Sequence, residues 1–260
     1  MVDTGKSVSL VLGSGGARGL AHIGVIRVLE EKGYKIQSVA GCSAGALVGG
    51  IYAADKLKEY EDWVLKLRKF DMVNLLDIAW VGGGLVKGNK IIRTMRKLVG
   101  DRLIEDLPIP FTAVATELES GREVWLSEGP LFDAIRSSCS LPIFFTPVKF
   151  REKMLVDGGV VNPVPIAPTF NDQTDITIAV NLGGKPEKEP EPEGKKDIGA
   201  AEVAYLVFDA MQSTIARQKL AAYPPDLVIE IPRDAARTFD VDRAAEMIEL
   251  GREAAEAVLP

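Results

Sequence analysis

A serine at a tight, glycine-flanked turn is the residue of this sequence best suited, by type and spacing, to covalent chemistry. The turn is Gly41-Cys42-Ser43-Ala44-Gly45, which follows a short apolar run and opens a segment of small, apolar residues that ends at Ile51. A strand, turn and helix of this kind hold a serine in a strained backbone with its hydroxyl exposed as a nucleophile. Gly41 and Gly45 would keep bulky side chains out of the turn. On its own, the pattern also fits a glycine-rich turn with a capping serine.

A second glycine-rich turn, Gly13-Ser14-Gly15-Gly16-Ala17-Arg18-Gly19, follows a strand predicted at Ser7 to Leu12. A loop between a strand and a helix presents free backbone N–H groups to an anion. One interpretation is a Rossmann-type dinucleotide site, hence an NAD(P)-binding reductase. However, Gln37 to Ala40 supplies no acidic residue for the ribose at the end of the second strand. The other interpretation is an oxyanion hole, whose amides stabilise a tetrahedral acyl intermediate.

A serine nucleophile needs a partner that accepts its proton, and histidine is the usual one. His22 is the single histidine, and it shares a helix face with Ile26, so we expect it to be packed in the core. Asp157 is the other candidate, because it ends a predicted strand and is followed by Gly158 and Gly159, which would let a substrate or a loop approach. An aspartate that only begins a Gly-Gly turn is the alternative.

Three motifs, in this order, resemble those of the patatin-like phospholipase family. They are Gly15-Gly16-Ala17-Arg18-Gly19, Gly41-Cys42-Ser43-Ala44-Gly45 and Asp157-Gly158-Gly159. Ser140-Leu141-Pro142 and Asn162-Pro163-Val164-Pro165 also resemble family blocks, and the match runs from Val8 to about Leu182. The chain departs from the family pattern at Ser14, where glycine is usual.

The resemblance implies a serine–aspartate dyad without histidine, with Ser43 as the nucleophile and Asp157 as the base. It implies that the oxyanion hole is formed by Gly15, Gly16, Ala17 and Arg18. It also implies that the glycines which support the motifs are Gly19, Gly41, Gly45, Gly158 and Gly159. The implied activity is a serine esterase that hydrolyses lipid acyl esters, of the phospholipase A or lysophospholipase type, through an acyl-serine and without cofactor or metal. A thioesterase or acyltransferase with the same dyad, and a non-catalytic regulatory module, are alternatives.

Arg18 and a group of apolar residues downstream each have two interpretations. Arg18 would oppose the helix macrodipole at a first helical turn, so it is either a solvated surface arginine or a residue that fixes the loop or attracts an anionic head group. Aromatic and apolar residues downstream could form an interfacial lid, although such a stripe is also typical of ordinary core. These residues are Trp63, Phe70, Trp80 and Leu85.

The order of elements predicts an α/β fold. Strand, glycine loop, helix, strand, elbow and helix form a βαβα start, which implies a central, mostly parallel sheet in a three-layer α/β/α arrangement. We predict one domain over residues 1–260, with the motifs in about 8–182 and a flexible Lys/Glu/Pro loop at 183–197. Strands are also predicted at Ile36 to Ala40, Phe111 to Glu117 and Ile176 to Leu182, and helical regions over Lys56 to Asp77, about 199–222 and 242–258.

Composition limits the partners and the location. A net charge of −6 and a pI near 5.1 argue against a nucleic-acid-binding surface. Two cysteines, Cys42 and Cys139, imply no disulfide framework and favour a reducing compartment. No signal peptide and no run of about 18 apolar residues is present, so a cytoplasmic location is expected. The expected partner is a lipid or fatty-acyl ester, with transient contact to a membrane surface. Oligomeric state, head group and acyl length are open.

Overall fold

Short runs of β-branched and apolar residues form the strands of a central sheet that is covered on both faces, as parallel sheets require. The structure is a computed structural model that describes residues 4–68, 71, 88–187 and 199–260. These residues form one eight-stranded sheet. The strands are β1 (Ser7–Leu12), β2 (Lys35–Cys42), β3 (Phe111–Glu117), β4 (Glu123–Leu126), β5 (Val148–Phe150), β6 (Lys153–Asp157), β7 (Ile176–Gly184) and β8 (Leu227–Pro232).

The order of the strands confirms the predicted fold class. In hydrogen-bonding order the sheet is β5-β6-β3-β2-β1-β7-β8, and β4 pairs with β3 off this path. The pairs β3–β2, β2–β1, β1–β7 and β7–β8 are parallel. Strands β4, β5 and β6 make antiparallel pairs. The result is a mixed α/β fold with a mostly parallel central sheet.

Helices connect and cover these strands. They are α1 (Ala21–Glu31), α2 (Ala44–Ala53), α3 (Leu57–Val64), α4 (Asn89–Val99), α5 (Leu131–Ser138), α6 (Ala200–Ala222) and α7 (Ala244–Val258). Short 3₁₀ turns lie at Gly16–Leu20, Ile104–Asp106, Gly158–Val160, Ala167–Thr169 and Val241–Arg243. In the described part of the chain, no helix combines the length and the apolar character needed to cross a membrane.

The side chains of β1 show how both faces of the sheet are buried. Successive side chains of a strand point to opposite faces. Leu10 and Leu12 belong to the large core, whereas Val11 packs in a smaller cluster with Ile166 and with Ala216 of α6. A strand buried on both faces explains why Ser7 to Leu12 reads as a nearly continuous apolar run rather than an alternating one.

Some element boundaries differ from those predicted from the sequence. Strand β7 continues through Gly184, two residues into the predicted loop, because β8 offers a partner there through Pro232. Residues 188–197 of that loop lie outside the described residues. The region predicted as helical from Lys56 to Asp77 contains α3 over Leu57–Val64, and residues 69, 70 and 72–87 also lie outside the described ranges. The single-domain organisation stays a prediction.

Candidate active site

Ser43 and Asp157 meet because β2 and β6 share one edge of β3. Val114 pairs with Cys42 at the end of β2, and Ala115, the next residue of β3, pairs with Asp157 at the end of β6. Strand β4 pairs with both Val114 and Ala115 and therefore occupies the other edge. Strand β2 runs parallel to β3 and β6 runs antiparallel, so the ends of β2 and β6 approach each other head-on. The residue after β2 is thereby brought to the last residue of β6.

The backbone of Ser43 has the strain expected of a nucleophile elbow. Its φ and ψ are 53° and −120°, a region that non-glycine residues seldom occupy. The glycines of the motif allow the turn to pack closely. A Cβ at Gly45 would lie 2.0 Å from the Leu12 carbonyl oxygen, and one at Gly41 would lie 2.5 Å from the Gly45 carbonyl oxygen. Both positions therefore exclude any side chain.

The hydroxyl of Ser43 donates a hydrogen bond to the carboxylate of Asp157. The Ser43 Oγ to Asp157 Oδ2 distance is 2.6 Å, and the other carboxylate oxygen accepts the Gly159 N–H at 2.8 Å. Asp157 is fully buried. Burial raises the pKa of Asp157 from 3.8 to about 6, although hydrogen bonds from Ser43, Gly159 and Cys42 oppose this rise. Asp157 is therefore ionised at neutral pH but is a stronger base than an ordinary aspartate, which suits a proton acceptor.

Gly15 and Gly16 of the glycine loop line the same cavity as Ser43. Gly16 has a φ of 60°, which suits glycine. The N–H groups of Gly15 and Gly16 donate to no other described residue, whereas the Ala17 N–H donates to the Thr238 carbonyl at 2.9 Å. Of the predicted donors, Gly15 and Gly16 thus offer unused amides, and the amide of Ala17 is occupied.

Arg18 fixes the loop and is not a solvated surface arginine. Only 3% of its surface is exposed. Its Nε donates to the Gly15 carbonyl at 3.1 Å, its Nη1 donates to the Arg233 carbonyl, and its Nη2 forms an ion pair with Asp209 at 2.6 Å. The guanidinium therefore ties the loop to α6 and to the segment after β8.

His22 is packed in the core, as predicted. It is fully buried, and its Nε2 donates to the Gly13 carbonyl at 2.9 Å. Burial lowers the pKa of His22 to about 4, so the ring is neutral near pH 7. Its Nδ1 contacts no hydrogen-bonding partner within the described ranges. His22 therefore supports the strand-to-loop junction and makes no hydrogen bond to Ser43.

Ser43 and the glycine loop line a common cavity of about 160 Å³. Its walls are mostly apolar and come from α2, α3, α6 and the segment after β8. Representative lining residues are Leu47, Trp63, Val64, Tyr205 and Phe239. Trp63, one of the residues considered for a lid, lies in this wall. Phe70, Trp80 and Leu85 are outside the described residues.

Several residues that hold the site together were not predicted from the sequence. Asp209 and Thr238 anchor the glycine loop from 191 or more positions away, and no spacing signal connects them to it. Ser138 and Cys139 contact the backbone of Ser43. The only sequence signal for these two was their position directly before the Ser140-Leu141-Pro142 segment. Within residues 4–68, 88–187 and 199–260, no group of three His, Cys, Asp or Glu side chains could hold a metal ion.

The fold and the site define an α/β protein with a strained elbow serine, a buried aspartate beside it and a glycine loop. The chain belongs to the patatin-like phospholipase family, whose model matches residues 10–170. The family acts on lipids, which favours a lipid hydrolase over an NAD(P)-binding reductase.

Curated relatives extend the match beyond the motifs. An uncharacterised NTE family protein of Mycobacterium tuberculosis is 35% identical over 97% of this chain and 91% of its own length. Lysophospholipase nte1 of Emericella nidulans and neuropathy target esterase sws of Drosophila melanogaster are each 32% identical, over 73% and 70% of this chain. The match covers 13% of each of those two longer proteins. The crystal structure of VipD from Legionella pneumophila aligns with 94% of this chain and 66% of that one at 14% identity and a TM-score of 0.45. The family assignment depends on the sequence matches.

Proposed function

We propose that this protein hydrolyses carboxylic esters of lipids through a covalent acyl-serine, with Ser43 as the nucleophile and Asp157 as its base. The observation that carries the proposal is the 2.6 Å hydrogen bond from Ser43 Oγ to a fully buried Asp157, made from a strained backbone beside an apolar cavity. The family assignment by itself requires only a lipid hydrolase. The acyl-serine mechanism and the roles of Ser43 and Asp157 go beyond it.

In the acylation step, Asp157 accepts the proton as Ser43 Oγ attacks the carbonyl carbon of the ester. The carbonyl oxygen becomes an oxyanion, and the unused amides of Gly15 and Gly16 stabilise it. When the tetrahedral intermediate collapses, the bond to the alcohol oxygen breaks and Asp157 returns its proton to that oxygen. The products of this step are a free alcohol and an acyl ester on Ser43.

In the deacylation step, Asp157 takes a proton from water, which attacks the acyl ester. The second tetrahedral intermediate uses the same amides. Its collapse releases a carboxylic acid, and the proton held by Asp157 returns to Ser43 Oγ. One aspartate is sufficient for both steps because each begins and ends with the carboxylate ionised, a state that its pKa of about 6 maintains at neutral pH.

The cavity supports an acyl chain as the group that binds beside Ser43. Its walls carry Leu47, Val64 and Phe239, which offer apolar contact rather than polar recognition. The names of relatives from Emericella nidulans and Coccidioides immitis include lysophospholipase. We therefore propose a lysophospholipid, or another lipid ester with a single acyl chain, as the first substrate to test.

Labelling by a fluorophosphonate reagent tests the nucleophile and the base together. Such reagents phosphonylate an activated serine, so wild type should be labelled and Ser43→Ala should not. Asp157→Asn should be labelled far more slowly, because its amide cannot accept the proton. Labelling that persists in Ser43→Ala would refute the nucleophile. Unchanged hydrolysis of lysophosphatidylcholine in Asp157→Asn would refute the base, and His22→Gln would then be the next variant.

A further inference from the structure

Three consecutive residues, Ser138 to Ser140, contact the backbones of both Ser43 and Asp157. Ser138 Oγ accepts the Ser43 N–H at 2.9 Å. The thiol of Cys139 lies 3.1 Å from the Ser43 carbonyl oxygen and donates to it. The Ser140 carbonyl accepts the Asp157 N–H at 3.0 Å. The end of α5 and the two residues after it therefore touch both members of the proposed dyad without contributing a reacting group.

The hydroxyl of Ser138 takes the place of a hydrogen bond between strands at the point where β2 ends. The last pair between β2 and β3 is Cys42 with Val114, and the chain turns at Ser43. Ser138 Oγ accepts from Ser43 N–H and donates to the Val114 carbonyl at 2.6 Å. One hydroxyl thus joins the end of β2 to β3 where no strand residue remains to do so. Its single proton goes to Val114, so its lone pair faces the Ser43 amide.

The strained backbone of Ser43 needs a support of this kind. We call the two hydrogen bonds of Ser138 Oγ, with the Ser43 N–H and the Val114 carbonyl, the clamp. A serine with a φ of 53° and a ψ of −120° stays there only if the surroundings hold it. Ser138 is fully buried, so water cannot replace its hydroxyl when it is removed. Without that hydroxyl the Ser43 N–H and the Val114 carbonyl would lose a shared partner. The backbone of Ser43 could then relax, and Oγ would move away from Asp157.

We propose that Ser138 is a positioning residue that holds the strained backbone of Ser43 and thereby sets the geometry between Ser43 Oγ and Asp157. It touches neither substrate nor the reacting atoms. Cys139 and Ser140 complete the same segment, on the Ser43 carbonyl and on the Asp157 amide. The expected effect on rate rests on the proposed function. The hydrogen bond from the Ser43 N–H to Ser138 Oγ can be measured without catalysis.

The chain supplies a matched control in the neighbouring residue. Ser137 lies on the same helix and is equally buried, but its hydroxyl donates to the Asp133 carbonyl within α5. Ser137→Ala and Ser138→Ala therefore remove the same atom from equally buried sites, and only the second removes a contact to Ser43. Ser138→Thr keeps the hydroxyl and serves as the conservative variant.

The kinetic experiment measures fluorophosphonate labelling of Ser43 against reagent concentration, which separates the maximal rate from half-saturation. Because a misplaced reacting group costs up to about a hundredfold in rate, Ser138→Ala should lose about ten- to a hundredfold in maximal rate and little in half-saturation. Ser137→Ala should retain the wild-type rate within about twofold, and Ser138→Thr should recover most of the loss. A wild-type rate in Ser138→Ala, or an equal loss in Ser137→Ala, would overturn the proposal.

A second measurement separates failure of the clamp from failure of the proposed function. Hydrogen exchange of the Ser43 amide, followed by NMR, reports the Ser138 contact directly and requires no activity. Exchange should be faster in Ser138→Ala and unchanged in Ser137→Ala. If wild type is not labelled but exchange behaves in this way, the proposed function fails and the clamp stands. If the Ser43 amide exchanges equally in wild type and Ser138→Ala, the clamp is refuted whatever the labelling shows.

Discussion

Serine hydroxyls bind aspartates at several places in the described part of the chain, and two of these places lie at opposite ends of the same strands. At the carboxyl end of β2, Ser43 donates to Asp157 at 2.6 Å. Near the amino ends of β1 and β2, Ser9 donates to Asp172 at 2.8 Å and Ser38 donates to the same carboxylate oxygen. By residue type alone the two arrangements are equivalent, so their differences show what sets the proposed dyad apart from a structural contact.

The first difference is the backbone. Ser9 and Ser38 lie within strands and pair with each other in register, whereas Ser43 lies after its strand with a positive φ. The second is burial, because Asp157 is fully buried and Asp172 only partly so. The third is space, since Ser43 lines the cavity and Ser9 and Ser38 do not. The Ser43–Asp157 pair therefore combines strain, burial and an open cavity, and the cluster of Ser9, Ser38 and Asp172 does not.

The strongest test of this comparison replaces each aspartate by asparagine. Asp157→Asn should lose at least about 10³-fold in kcat/KM for ester hydrolysis, because the base of the proposed dyad is removed. Asp172→Asn should stay within about twofold, since it lies at the other end of the strands. The rates are compared at pH 7 on a lysophospholipid. Similar losses in both variants would show that the two clusters do not differ in function.

A second test measures the free energy of unfolding against pH. The pKa of Asp157 is raised from 3.8 to about 6, so its contribution to stability is present below pH 3.8 and is lost as pH rises through 6. His22, whose pKa falls from 6.5 to about 4, acts in the opposite sense and loses its contribution as pH falls through 4.

In wild type these two contributions nearly cancel between pH 4 and 6, and Asp157→Asn removes one of them. Relative to the variant, wild type should gain on the order of 3 kcal/mol on acidification from pH 6.5 to 4. Urea denaturation at several pH values gives the two curves. Parallel curves would contradict the assignment of a raised pKa to Asp157.

The pH dependence of activity provides a third test. The proposed base must be ionised, so kcat/KM should be constant above about pH 6.5 and should fall about tenfold for each unit below pH 6. Asp172→Asn should give the same profile as wild type. An activity that is independent of pH between 4.5 and 7 would argue against Asp157 as the base.

The smallest expected effect belongs to the structural cluster. Ser38→Ala should lower the free energy of unfolding by about 1–2 kcal/mol, because a hydrogen bond to a carboxylate is lost. Its hydrolytic rate should match that of wild type. Urea denaturation and a rate assay on the same preparation measure both quantities. A loss of rate without a loss of stability would remove the distinction between the two clusters.

Local patterns in the sequence predicted most of the described strands and singled out Ser43 and Asp157, which the fold brings into contact. A buried-type apolar run predicted β1 at its observed bounds, because a strand buried on both faces needs no polar alternation. The strand predicted at Phe111 to Glu117 is β3, with the same bounds. The glycines around Ser43 predicted the elbow, since a turn this tight excludes side chains at Gly41 and Gly45. The ends of β2 and β7 were less well predicted, because each continues as far as its neighbouring strand offers a partner.

The tertiary structure alone decided how these residues are arranged. Only the register along β3 shows that β2 and β6 end at adjacent positions of one edge, which brings Ser43 to Asp157 across 114 positions of sequence. Only the packing of α6 shows that Arg18 forms an ion pair with Asp209 and is held against the loop. Residue type and spacing act over a few positions and can therefore specify a turn or a strand. The meeting of two strand ends, and the burial that raises the pKa of Asp157, depend on contacts between distant segments and exist only in the folded chain.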